Sequence, residues 1–154
     1  MPAPINQANP LRLFVSHDWQ EDEDYHRVFE FLEAADYFYY RNCARPEALR
    51  PLTAEAIREA LRAEIGASEA VVLLAGQYSK NAERLQFMST FAQSIRKPVL
   101  VMRHFGLAAP IPGPLQQGAS ELLDWDGRAL IAALRHHGRG EAIGKWDTVE
   151  FTLD

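Results

Sequence analysis

Short, uninterrupted apolar runs of strand length constrain this chain more than any other feature. The clearest is AVVLLA at 70–75, and LRLFVS at 11–16 and PVLVMRHF at 98–105 are of the same kind. A strand that is exposed on one face alternates apolar and polar residues, whereas a strand covered on both faces does not. The sequence therefore predicts buried strands in a sheet with a layer of structure on each side.

Amphipathic helices are predicted between these runs. In the segment 23–35, apolar residues recur from Tyr25 at i, i+3, i+4 and i+7, which places them on one face of a helix. Further helices are predicted at 53–66, with Thr53 as its cap and Gly66 as its end, at 81–95 and at 128–137.

The remaining segments complete the order of elements. Aromatic residues at 37–42 (YFYYRN) predict a second strand, and ELLDWD at 121–126 predicts a short strand or a turn. Segments rich in proline or glycine predict loops at 43–52 and 106–119.

Strands and helices thus alternate along the chain, which is typical of an α/β fold with a parallel sheet. We predict a flavodoxin-like three-layer sandwich in which five parallel strands follow the order 2-1-3-4-5. A single domain is expected over 11–154, after a flexible or edge-packed leader at 1–10. Alternating apolar residues, Val149, Phe151 and Leu153, predict an extra C-terminal edge strand.

Composition excludes several function classes. The 154 residues carry a formal net charge of −5, so general nucleic-acid binding is not expected. No apolar run approaches the roughly 18 residues of a membrane span, and the first ten residues do not resemble a secretory signal. The single cysteine, Cys43, cannot form an internal disulfide. We expect a cytoplasmic protein, and the histidines show no spacing typical of a metal site.

The first strand ends on an unusual polar group, Ser16, His17, Asp18 and Trp19. One interpretation is a helix cap, in which Ser16 or Asp18 binds free backbone N–H groups. The other is a ligand pocket, because ligands of such sheets bind at the carboxyl edge where the strand order reverses. Strand 3 would bring the segment 76–78 to the same crevice. The chain has no glycine-rich phosphate loop, and four carboxylates follow at 21–24.

The loop after the second strand carries two arginines and an asparagine, Arg41, Asn42 and Arg45. It is interpreted either as a solvated loop or as a mobile flap that closes on a ligand or partner. Cys43 in the same loop is expected to be structural rather than catalytic.

The motifs FVSHDW, DEDYHRVFEFL, YYRNCARP, IREALRAEI, AVVLLAGQYSKNAERLQF and RKPVLVMR follow one another over about residues 12–105. This ordered set resembles the TIR-like domains of bacterial and archaeal proteins, a group that includes a component of the Thoeris antiphage defence. The resemblance implies a flavodoxin-like fold and a role in intracellular immune signalling.

The resemblance also implies a reaction, and this chain differs from the family at a residue that the reaction uses. Active TIR-like domains cleave the bond between nicotinamide and ribose in NAD, and some cyclise the ADP-ribose product. They use a glutamate on the third helix, where this chain has RLQFMS at 84–89 and Met88 takes the glutamate position. Methionine carries no charge, and losing such a group typically costs on the order of 100- to 1000-fold in rate. Asp18 and Glu83 are the weak substitutes.

Two hypotheses follow. The first is a TIR-like signalling or interaction module that has lost catalysis but keeps a nucleotide-type pocket. The second is an active NAD glycohydrolase or ADP-ribosyl cyclase whose carboxylate comes from another position; a nucleoside-processing hydrolase or transferase is a more distant third. NAD or an ADP-ribose-type nucleotide is the expected ligand, no cofactor is required, and self-association or a partner defence protein is expected. The predicted pocket residues are Ser16, His17, Asp18, Trp19, Arg41, Asn42, Arg45, Gly76 and Tyr78.

Overall fold

A computed structural model of the protein describes residues 3–18, 22–49 and 53–141. Its centre is an all-parallel sheet of five strands in the order β2-β1-β3-β4-β5, which confirms the predicted fold class and strand order. The strands are β1 (Leu11–Val15), β2 (Tyr40–Asn42), β3 (Ala70–Leu74), β4 (Val99–Met102) and β5 (Glu121–Leu123). The helices are α1 (Glu23–Ala34), α2 (Ala54–Ala67), α3 (Tyr78–Ser94), α4 (Gly113–Gln117) and α5 (Gly127–Ala133).

The two longest apolar runs form the strands that are buried throughout. Every residue of β3 and of β4 is buried. Two helical groups provide the cover: α1 contacts α5, while α3 contacts both α2 and α4. The prediction of strands covered on both faces is therefore confirmed, and β1 lies between β2 and β3 at the point where the chain changes direction across the sheet.

Helix boundaries differ from the predictions where local hydrogen bonding decides them. Asp22, not Ser16 or Asp18, caps α1, because its carboxylate accepts a hydrogen bond from the Asp24 N–H. Thr53 caps α2 as predicted, with its hydroxyl accepting from the Ala56 N–H at 3.1 Å.

Two further segments correct the sequence predictions. Helix α2 continues through Gly66 and is closed by Ser68, whose N–H and hydroxyl both donate to the Ile65 carbonyl. The predicted loop at 106–119 contains α4, and the fixed φ of Pro114 suits the first turn of a helix.

The ends of the chain are only partly described. In the predicted leader, Ile5 is buried and Asn6 pairs with Asn9 in an isolated bridge. The predicted edge strand with Val149, Phe151 and Leu153 lies outside the described residues.

A buried arginine ties the beginning and the end of the described chain to the sheet. Arg139 is 7% exposed and binds both carboxylate oxygens of Glu69, at 2.7 and 3.0 Å. Its remaining N–H groups donate to carbonyl groups of the first segment, those of Ala3, Asn9 and Pro10. Burial alone would raise the pKa of Glu69, but hydrogen bonds from Arg139 and Arg12 outweigh it and hold that pKa below its ordinary 4.5.

We predict that Arg139→Ala lowers the free energy of unfolding by about 3 kcal/mol, because it leaves the partly buried Glu69 carboxylate without its main partner. The matched control is Arg58→Ala, which breaks an exposed ion pair with Glu55 and should cost under about 1 kcal/mol. Urea unfolding at neutral pH measures both. Equal small effects would contradict a structural role for Arg139.

The pH dependence of this ion pair has a definite sign. Since the folded-state pKa of Glu69 is lowered, its stabilising contribution is fully present above about pH 5 and is lost as pH falls through the folded pKa. The stability difference between wild type and Glu69→Gln should therefore shrink as pH is lowered from 6 to 3.

Candidate functional site

A small cavity of about 60 Å³ opens at the carboxyl edge of the sheet, between the ends of β1 and β3. This is where the strand order reverses, so its place agrees with the general rule for ligand sites in such folds. It is lined by His17, Asp18, Asp22, Gly76, Gln77, Lys80, Asn81, Arg84, Leu85 and Met88. We call it the strand-end cavity.

Ser16 lies behind this cavity and joins the two strand ends. Its side chain is fully buried; the hydroxyl donates to Gln77 Oε1 at 2.6 Å and accepts from the Leu74 N–H at 2.9 Å. Gln77 in turn donates to the Ser16 carbonyl at 2.9 Å and to the Asp22 carboxylate. Ser16 therefore positions Gln77 and does not itself face the cavity.

Hydrogen bonds and an ion pair join Asp18 to the beginning of α3 at the cavity. The Arg84 guanidinium donates to Asp18 Oδ1 at 2.8 Å, and the Asn81 amide donates to Oδ2. Asn81 has a non-helical backbone, with φ −142° and ψ 54°, so α3 is kinked there. The kink lies beside the Asp18 contact, in the same part of the helix that lines the cavity.

His17 also forms a buried polar contact with α2. Its Nε2 lies 2.8 Å from Glu64 Oε1, and both side chains are at least nine-tenths buried. Glu64 Oε1 also accepts the Arg45 N–H at 3.1 Å, so the contact connects β1 to the loop after β2. The second ring nitrogen, Nδ1, is buried without a hydrogen-bond partner among the described residues.

The loop after β2 is further held by Asn42. Its amide donates to the Tyr25 hydroxyl at 2.9 Å and its carbonyl accepts the Ala44 N–H at 2.9 Å. Burial raises the pKa of the Tyr25 hydroxyl, an effect that the Asn42 hydrogen bond opposes and the Glu47 and Glu64 charges reinforce. The first part of this loop is therefore packed and hydrogen-bonded.

The position that the family resemblance gives to a glutamate is apolar and buried. Met88 is 1% exposed, contributes to the core and lines the inner wall of the cavity beside Leu85. Glu83 is exposed and is not among the lining residues. Among the described residues, the carboxylates that line the cavity are those of Asp18 and Asp22.

The predicted pocket residues do not all come together. His17, Asp18 and Gly76 line the cavity, whereas Tyr78 accepts a hydrogen bond from Gln86 and is not part of the lining. Asn42, which the prediction places in the loop, is the last residue of β2, and Arg45 lies in the loop after it, where its N–H donates to Glu64.

Two other predicted residues are outside this group. Arg41 lies in β2 and lines a different surface pocket. Trp19 lies outside the described residues.

Gln77 lines the cavity as the prediction for the segment 76–78 requires, whereas the polar lining residues that the sequence does not predict are Asp22, Lys80, Asn81 and Arg84. Three of them, Lys80, Asn81 and Arg84, come from the start of α3. The hydrophobic periodicity predicts a regular amphipathic helix from residue 81, whereas α3 begins at Tyr78 and is irregular at Asn81. A signal was present, because polar residues from 77 to 81 directly follow a buried strand.

Other chemistries receive no support from the described part of the chain. It contains no group of three His, Cys, Asp or Glu side chains arranged to hold a metal ion. Burial raises the pKa of the Cys43 thiol, although the Arg12, Arg41 and Arg45 charges partly offset this, so Cys43 lacks the lowered pKa typical of a nucleophile. None of the described helices has the length and apolar character needed to cross a bilayer.

Gly76 provides the close packing at the cavity rim, which gives a test of the geometry. A Cβ at this position would lie 2.8 Å from Asp24 Oδ2 and 3.0 Å from His104 Cδ2. We predict that Gly76→Ala lowers the free energy of unfolding by about 1–3 kcal/mol. The control is Gly66→Ala in α2, where a Cβ meets nothing within 4 Å. This substitution should raise the free energy of unfolding by about 0.5–1 kcal/mol, because alanine favours a helix more than glycine does. Thermal or urea unfolding of both variants is the measurement, and a stabilised Gly76→Ala protein would contradict the described rim.

Comparison with known proteins adds no identification: no family model matches the chain, and no curated protein matches it at a significant level.

Proposed function

We propose that this protein is a TIR-like signalling or interaction module that binds a nucleotide-type ligand at the strand-end cavity and does not turn over NAD by itself. The observation that carries the proposal is the combination of a polar cavity at the reversal of strand order with buried Met88 at the position where the resemblance expects the catalytic glutamate. Bacterial antiphage immunity is the setting that the resemblance suggests.

The state of the cavity carboxylates supports the lack of turnover. Asp18 is held by Arg84 and Asn81, and Asp22 caps α1 and accepts from Gln77. A carboxylate that already has a cationic partner offers less stabilisation to a ribosyl cation than a preorganised one aimed at the reacting centre. Neither aspartate is therefore a good replacement for the missing glutamate.

The cations of the cavity support binding of a phosphate-bearing ligand. Lys80 and Arg84 both line it, and the Arg84 side chain is 21% exposed at its ion pair with Asp18. A cavity of about 60 Å³ holds a few water molecules, whereas small-molecule sites usually measure roughly 300–1,000 Å³. We propose that the ligand phosphate replaces the Asp18 carboxylate as the partner of the Arg84 guanidinium. The loss of the Asp18–Arg84 contact would open the cavity as the ligand enters.

A second candidate is an active NAD glycohydrolase or cyclase. The observation in its favour is that Asp18 lines the cavity, so a carboxylate is present there. Glu83 fits this alternative poorly because it is exposed and outside the lining.

The family resemblance also suggests a location and a mode of action for the protein. We propose a cytoplasmic protein that acts through self-association or through a partner defence protein, as the resemblance suggests.

Ligand binding is tested by calorimetry with NAD and ADP-ribose. We expect measurable binding to wild type and at least about tenfold weaker binding to Arg84→Gln, because one charge-assisted contact to phosphate is lost. Arg58→Gln on the exposed face of α2 is the matched control and should bind like wild type. Absence of binding to wild type, or equal binding to both variants, would overturn the nucleotide assignment.

Turnover is tested by NAD consumption over hours with purified protein. We expect wild type and Met88→Gln to be inactive and Met88→Glu to gain activity, since only the carboxylate restores the negative charge. Because Met88 is buried, Met88→Glu should also be less stable, so the assay is run well below its melting temperature.

The decisive contrary result needs no change at Met88. Consumption of NAD by wild type that Asp18→Ala abolishes would establish the alternative enzyme and place its carboxylate at the end of β1.

A further inference from the structure

A second surface pocket, remote from the strand-end cavity, collects arginines. It has a volume of about 460 Å³ and lies where the first segment of the chain meets the amino ends of β1 and β3. Its charged residues are Arg12, Arg41 and Arg139 against the single carboxylate of Glu69, which leaves a net charge of plus two. This is notable in a chain whose formal net charge is −5. We call it the arginine pocket.

The sheet register holds two of these arginines side by side. Arg12 of β1 and Arg41 of β2 are paired residues of adjacent parallel strands. Paired residues in neighbouring strands lie on the same face, with their backbones about 4.8 Å apart. The side chains of Arg12 and Arg41 therefore start from neighbouring positions on one face of the sheet, and both line the pocket.

The available carboxylate does not neutralise them. Glu69 gives both its oxygens to buried Arg139, and only its Oε2 reaches Arg12, at 3.3 Å to Nε and 2.9 Å to the backbone N–H. Arg41 is exposed, and its side chain makes no hydrogen bond or ion pair within the described part of the chain.

The three arginines have different roles. All the guanidinium nitrogens of Arg139 already have partners in Glu69 and the first segment, so this side chain supports the wall of the pocket. Arg12, whose side chain is half exposed, and Arg41 keep N–H groups for a ligand. Planar guanidinium groups match two oxygens of a phosphate group in parallel hydrogen bonds.

We propose that the arginine pocket binds a small molecule that carries a phosphate or diphosphate group, with Arg12 and Arg41 as the anion ligands. A dianion would balance the net charge of the pocket. The volume lies in the range of small-molecule sites, and the acidic chain as a whole opposes long polyanions such as nucleic acids.

This site is separate from the strand-end cavity. Arg12 is the second residue of β1 and Asp18 follows its end by three residues, so the two positions are about 20 Å apart along an extended strand. The proposal therefore stands whether or not a nucleotide binds at the strand-end cavity.

The test is titration with pyrophosphate at constant ionic strength, followed by amide chemical shifts of the labelled protein. We expect shifts at Arg12, Arg41 and their neighbours, with a dissociation constant on the order of 1 mM or lower. Arg41→Gln should weaken this binding at least about tenfold without loss of melting temperature, since the Arg41 side chain makes no hydrogen bond or ion pair with the described residues. Arg41→Lys, which keeps the charge but not the planar fork, should bind with intermediate affinity.

Two controls separate this site from the other and from general charge effects. Arg58→Gln, on α2, should bind pyrophosphate like wild type, and Arg84→Gln, in the strand-end cavity, should keep the shifts at Arg12, Arg41 and their neighbours whether or not it loses shifts at the strand-end cavity. The proposal is overturned if Arg41→Gln keeps the shifts at the arginine pocket, if Arg84→Gln loses them, or if the shifts map to the strand-end cavity alone. Tighter binding of a single-stranded oligonucleotide than of pyrophosphate would overturn the assignment to a small molecule.

Discussion

The pairing of β1 with β3 is the constraint on which the rest of the structure depends. The chain leaves β1 toward β2 on one side and leaves β3 toward β4 on the other. A parallel sheet cannot reverse its strand order without separating the two loops at this point, so a crevice results from topology alone. Ser16 sets where the pairing stops, because its N–H donates to Val72 and its hydroxyl binds Leu74 and Gln77. The strand-end cavity lies directly beyond these bonds.

Charge then decides what the crevice can do. Asp18, Arg84 and Asn81 satisfy one another across it, and the inner wall is formed by apolar side chains that include Met88. Such a site exchanges one charged partner for another more readily than it stabilises a developing cation, because its carboxylate has a cation beside it. This is the physical basis for proposing binding rather than turnover.

The two ends of the sheet carry different charge arrangements. At the carboxyl edge, two carboxylates and two cations line the cavity, whereas at the amino edge three arginines and one carboxylate line the pocket. The Glu69–Arg139 ion pair stabilises the fold. It also occupies both oxygens of the carboxylate that lines the pocket with Arg12 and Arg41. A contact that stabilises the fold thus leaves Arg12 and Arg41 available for the proposed anion ligand.

The sequence by itself determined the layered fold, because the apolar runs at 70–75 and 98–105 can be buried only in a sheet covered on both faces. It also determined that His17, Asp18 and Gly76 would meet at one edge, since strand ends in a parallel sheet share that edge, and that Met88 would be buried, since it continues an apolar helical stripe. The tertiary structure alone decided the partners. Asp22 rather than Ser16 caps α1, Asn81 and Arg84 reach Asp18 through a kink in α3, and Arg41 lies beside Arg12 at the amino end. These outcomes depend on register and on contacts between residues far apart in the chain, and hydrophobic periodicity carries no information about either.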